Sequence, residues 1–143
     1  MITEEEKEII EVLKHTLGYD APHITQEQFE NIVDYIMKNE TEGGNPKELV
    51  WRLCGCYEGY NFNKVIDIFV DSRDAYYTSE LVSYVKGNLD QGYLINKMIE
   101  TKDLDFINNT MSTGTITKYL DDEHFEKIKS YYKSEKDKDE INN

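Results

Sequence analysis

The chain has 143 residues, 38% of them apolar and 31% charged, with a net charge of −13. That length supports one domain whose core needs no disulfide or metal staple, and the acid excess excludes direct nucleic-acid binding, which needs Lys and Arg clustered against phosphate. No apolar run approaches 18 residues and no leader-like or lipidation motif is present, so a cytoplasmic protein without membrane contact is expected.

Thr3 to Glu6 forms a capping-box pattern and Gly18 a stop, which predicts a first helix over residues 4–17. Ile9, Val12, Leu13 and Leu17 form its apolar stripe, and Glu4, Glu8 and Glu11 share the opposite face. Thr25 to Gln28 repeats the box. Phe29, Ile32, Val33, Ile36 and Met37 then mark a second helix to about Lys38, with Glu27, Glu30 and Asp34 outward. The first fifty residues hold twelve acids against four bases. Glu40 to Asn45, with two glycines, reads as a loop and as the candidate hinge.

Asn45 followed by Pro46 marks the next helix start, because proline's missing N–H costs nothing in the first turn. Leu49, Val50, Leu53, Cys54 and Tyr57 recur at helical spacing before Gly59. Val65 to Val70 is apolar on nearly every side. Its β-branched content also suits a short strand, so helix is preferred on its neighbours and on the capping residues Asn61 and Asn63. Thr78 is expected to open a helix ending near Gly87, Asp90 and Asp103 to cap two more, and Ser112 to Thr117 to form a loop. Asp121 then opens a last helix through Phe125, Ile128, Tyr131 and Tyr132. From residue 134 the charged tail lacks apolar anchors and is expected to be disordered. The fold expected over residues 1–133 is a single all-α domain, a compact bundle of about six to eight short helices, with an α-solenoid-like stack as the variant. A weak echo of Ile24 to Ile32 in Leu120 to Ile128 points the same way, although two similarly capped amphipathic helices also look alike.

Candidate chemistry is sparse. Cys54 and Cys56 sit about 200° apart on a helix, and neither C-x-x-C nor a matching His is present for a metal, so core packing is the expected role of Cys54. Asp121, Asp122, Glu123 and His124 suit a helix N-terminus, where the dipole favours acids, better than a metal site lacking a second contributing helix. Gly43-Gly44-Asn45-Pro46 lacks the Lys-Ser/Thr ending of a phosphate loop. No cofactor or metal and no enzymatic activity are therefore expected; a cysteine- or metal-dependent enzyme is the remote alternative.

The surface suggests binding. Carboxylates four residues apart on a helix lie at about the phosphate spacing of a nucleic-acid strand, and eleven tyrosines offer rigid amphipathic area. Glu4, Glu8, Glu11, Glu27, Glu30, Asp34, Tyr57, Tyr60, Tyr76 and Tyr77 are the candidate partner-binding residues. The expected function is that of an acidic protein-binding module that inhibits a basic nucleic-acid-handling protein or nuclease, partly as a nucleic-acid mimic. A mobile-element antagonist of a defence nuclease and an immunity protein for a nuclease toxin both fit. A helical adaptor that binds or dimerises through an apolar groove is the alternative.

Overall fold

A computed structural model of the chain describes residues 2–39 and 45–142, with side chains through residue 139. The Glu40–Gly44 part of the candidate hinge lies outside the described residues. Those described form nine helices and no strand, eight of the helices seven residues or longer. They are α1 (Glu4–His15), α2 (Gln26–Asn39), α3 (Pro46–Cys56), α4 (Asn63–Asp71), α5 (Ala75–Tyr84), α6 (Gln91–Thr101), α7 (Leu104–Met111), α8 (Thr115–Tyr119) and α9 (Asp122–Asn142).

The starts follow from capping chemistry. At α2 the box is reciprocal: the Gln28 N–H donates to Thr25 Oγ1 at 3.1 Å and the Thr25 N–H to Gln28 Oε1 at 2.8 Å. At α1 it is one-sided. The Glu6 N–H reaches Thr3 Oγ1 at 3.1 Å, whereas the Glu6 side chain is buried, with Oε2 lacking a hydrogen-bond partner.

Asn45, Asp74 and Asp103 cap α3, α5 and α7, and they stand 29 residues apart. The residues before the last two, Arg73 and Lys102, both adopt φ of 56°, the left-handed step that turns one helix back into the next. Gly44, one period earlier in the sequence, lies outside the described residues. The chain therefore runs as three successive helix pairs, α2–α3, α4–α5 and α6–α7, of which α2 packs on α3 and α4 on α5. The second helices form one row, α3 against α5 and α5 against α7, and α4 lies against α6. Lys64 on α4 meets Asp34 on α2 at 2.6 Å, and Lys97 on α6 meets Asp67 and Asp71 on α4 at 3.4 and 3.7 Å. In the second row, Trp51 stacks on Tyr84 at 4.1 Å and donates from Nε1 to the Glu80 carbonyl at 3.3 Å. Helix α1 packs on α2 and α3 at one end, while α9 packs on α6 and α7 at the other.

The run Val65 to Val70 is helical, as its neighbours and capping residues favoured, with Val65, Ile66, Phe69 and Val70 buried. Other expectations change. Helix α1 stops at His15, so Leu17 leaves the apolar stripe and is 62% exposed. Helix α5 begins at Ala75 and not Thr78, because the Asp74 carboxylate accepts the Tyr77 N–H at 2.9 Å. The expected loop before residue 118 holds α8, pinned by fully buried Ile116. The tail expected to be disordered continues α9 to Asn142. Its Lys and Glu residues are good helix formers, Tyr131, Tyr132, Glu135 and Lys136 are half-buried, and Lys138 meets Glu135 at 3.2 Å.

Candidate functional site

The ten candidate residues fall into three groups. The first is the acidic pair of helices. Glu4, Glu8, Glu11, Glu27 and Asp34 are exposed and Glu30 is half-buried. Part of this charge is already answered: Lys7 stands 3.5 Å from Glu4, Lys14 2.9 Å from Glu11, and Lys64 2.6 Å from Asp34. Glu30 accepts from Gln26 Nε2 at 2.8 Å.

The second group is structural. Tyr57 is only 4% exposed and its hydroxyl donates to the Pro22 carbonyl at 2.8 Å; Tyr60 donates to the Ile24 carbonyl. With Phe62 they surround Phe29, at ring separations of 6.0, 5.6 and 6.0 Å for Tyr57, Tyr60 and Phe62. These rings fasten the α3–α4 connection to the segment before α2, and Tyr57 offers a partner almost no surface.

The third group lies where the tips of the helix pairs line up. Tyr76, second residue of α5, is 63% exposed and stands edge-on to Tyr77 at 5.0 Å. The Tyr77 ring rests on buried Phe69 at 5.7 Å, and its hydroxyl accepts from Asn45 Nδ2 at 3.2 Å. Burial, then the charge of Glu48, raises the Tyr77 pKa, so its hydroxyl stays protonated at neutral pH. Around this seat, Lys47 meets Asp74 at 2.9 Å and Arg73 meets Asp103 at 3.4 Å. Each pair joins one tip to the next. The arrangement fixes a large exposed aromatic ring between alternating charges on rigid helix ends, which suits non-covalent docking.

Sequence reasoning singled out Tyr76 and Tyr77 but missed Lys47, Arg73, Asp74 and Asp103 as their companions. The signal was available in the 29-residue spacing of the three caps and in the matching triplets Ser72-Arg73-Asp74 and Thr101-Lys102-Asp103.

The two cysteine thiols both sit in surroundings that favour the protonated form. Burial, then Cys56, pushes the Cys54 thiol far above its ordinary range, and burial also raises Cys56. In the acidic cluster, His124 Nδ1 stands 3.7 Å from Asp121, and among the described residues no group of three His, Cys, Asp or Glu side chains is placed to hold a metal.

These shifts set the alkaline stability. Tyr57 and Tyr84 are raised chiefly by burial, Tyr93 chiefly by its hydrogen bond to Asp67, and Cys54 by burial. Each group keeps its proton in the folded state at a pH where the unfolded chain loses it, at about 8.5 for a thiol and 10 for a tyrosine. Their contribution is thus full below those values and is lost as pH rises. The urea midpoint should fall steadily above about pH 9, and Tyr57→Phe should flatten that decline; a midpoint unchanged to pH 11 would contradict the assignment.

In comparisons with known proteins, the chain matches no family profile, and no curated protein or solved structure shows significant similarity to it.

Proposed function

We propose that this chain is a protein-binding module acting by non-covalent docking, with the aligned tips around Tyr76 as its contact surface. The supporting observation is Tyr76 itself: a ring left exposed in the middle of the helix stack, braced on Tyr77 and Phe69 and flanked by the cross-tip ion pairs. Stacked helix pairs present extended surfaces of this kind, and a rigid aromatic anchor loses little entropy on binding. The net charge of −13 directs the module toward a basic partner by long-range attraction. A nucleic-acid-handling protein or nuclease is such a partner, and inhibition is the role that occupying its basic groove would produce. Literal phosphate mimicry has thinner support, because Glu4, Glu11 and Asp34 already face lysines.

Affinity capture from the native host with the wild-type chain and two variants tests this reading. Tyr76→Ser combined with Arg73→Glu should reduce partner recovery by about 30-fold, the effect of losing one interfacial hot spot of about 2 kcal/mol. Reversing Glu4, Glu8, Glu11, Glu27, Glu30 and Asp34 to Lys should slow association and remove its salt dependence. Undiminished recovery with the Tyr76 variant would overturn the tip surface; undiminished recovery with the reversed variant would overturn charge-directed binding.

A further inference from the structure

A second surface lies at the opposite end of the stack from α1. Between α7 and α9 runs an open groove of about 270 Å³. Ile107 and Met111 of α7 and Phe125, Ile128 and Tyr132 of α9 line it, with Lys129 at its rim. The volume is at the lower limit of ordinary small-ligand pockets and suits one or two bulky side chains.

The rim is unusual for so acidic a protein. Residues 127–136 contain Lys127, Lys129, Lys133 and Lys136 against Glu135 alone. The ammonium groups of Lys129 and Lys136 each stand 5.9 Å from a ring centre, Phe125 and Tyr132 respectively, so they rest against the aromatic wall of the groove. Lys133 lies between them on the same flank of α9, by its spacing. Among the described residues none of the three lies within ion-pair distance of a carboxylate. Within a chain of net charge −13, this apolar floor is edged by lysines.

We infer that this groove is a docking site for a short acidic peptide segment of a partner protein, one that inserts a leucine- or phenylalanine-sized side chain between α7 and α9 and sets flanking carboxylates against Lys129, Lys133 and Lys136. Helical or extended segments with apolar anchors commonly dock in this manner, and opposite charge at the rim selects among them. The site shares no residue with the Tyr76 surface, so the two assignments stand or fall separately.

The probe is a fluorescein-labelled octapeptide, Asp-Asp-Glu-Leu-Phe-Glu-Asp-Asp, titrated with the full chain and read by anisotropy and by amide chemical shifts. It should bind in a saturable, salt-sensitive way, shifting amides of α7 and of α9 near Phe125 and Tyr132. Replacing its Leu-Phe by Ser-Ser, or its acids by Lys, should weaken binding about tenfold or more. The double variant Lys129→Glu and Lys133→Glu, at exposed positions, should lose at least as much while retaining the wild-type circular dichroism spectrum; Tyr76→Ser should bind the peptide normally. No binding, equal binding of the lysine peptide, equal binding by the double variant, or shifts confined to another face would each overturn the inference.

Discussion

Phe29→Ala should lower the stability of this protein by about 3–5 kcal/mol, the cost of deleting a buried aromatic side chain together with the cavity it leaves. The ring is wholly buried, and Tyr57, Tyr60 and Phe62 all pack on it. Its neighbours cannot readily collapse into the gap, because the hydroxyls of Tyr57 and Tyr60 are fixed to the carbonyls of Pro22 and Ile24. Edge-to-face contacts contribute a further ~0.5–1.5 kcal/mol per pair beyond area burial. Against a total of roughly 5–15 kcal/mol for a domain this is a large fraction, and Tm should fall by about 10–20 °C. Thermal unfolding followed by circular dichroism reads the effect directly. Tyr60→Phe, which removes only a hydroxyl, should cost about 1 kcal/mol; a comparable loss in both variants would mean that the hydrogen bonds, and not the ring packing, hold this corner.

Gln91→Leu should cost about 3 kcal/mol and should loosen one junction selectively. Gln91 is a buried amide at the start of α6. Its Nε2 donates to the carbonyls of Gly87 and Tyr119 at 3.3 and 3.1 Å, and its Oε1 accepts the Asp121 N–H at 2.8 Å. One side chain thus ties the α5–α6 turn, the end of α8 and the start of α9. Leucine has similar bulk but strands these polar groups, at about 1 kcal/mol or more each. Hydrogen exchange should show the Asp121 amide losing protection while amides within α3 keep theirs. Gly87 belongs to the same junction: its φ is +72°, and an added Cβ would stand 2.7 Å from the Tyr119 carbonyl oxygen. Gly87→Ala should therefore be destabilising, and its cost should not add to that of Gln91→Leu, because both release the same contact.

The helices were legible in the sequence where local rules act alone. Asn45, Asp90 and Asp103 cap as their side chains dictate, and the apolar stripes of α2 and α3 face the core as their spacing requires, with Met37 at the half-buried edge. Misreadings occurred where tertiary contact overrides local preference. Ser112 to Thr117 has loop chemistry, but Ile116 is drawn into the core and winds a turn around itself. Leu17 continues the heptad-like stripe on paper, yet the chain leaves α1 two residues before it. The candidate surface was only half legible for the same reason. Tyr76 and Tyr77 announce themselves as a pair near a turn, whereas the pairs Lys47–Asp74 and Arg73–Asp103 form only once helix pairs stack. Tyr57 and Tyr60 resemble Tyr76 and Tyr77 in sequence, and only packing on Phe29 buries Tyr57 and half-buries Tyr60.

The regular interval between Asn45, Asp74 and Asp103 gives the molecule a grain. A duplication of residues 73–101 would carry the capping Asp74 carboxylate and, in Arg73, both the left-handed turn and the cross-tip cation, and would extend the pile by one storey. An insertion within a helix would rotate its buried face away from the neighbouring pair, whereas one in a connection would leave each cap with its own helix. Growth by whole units is therefore the change that renews every contact between storeys.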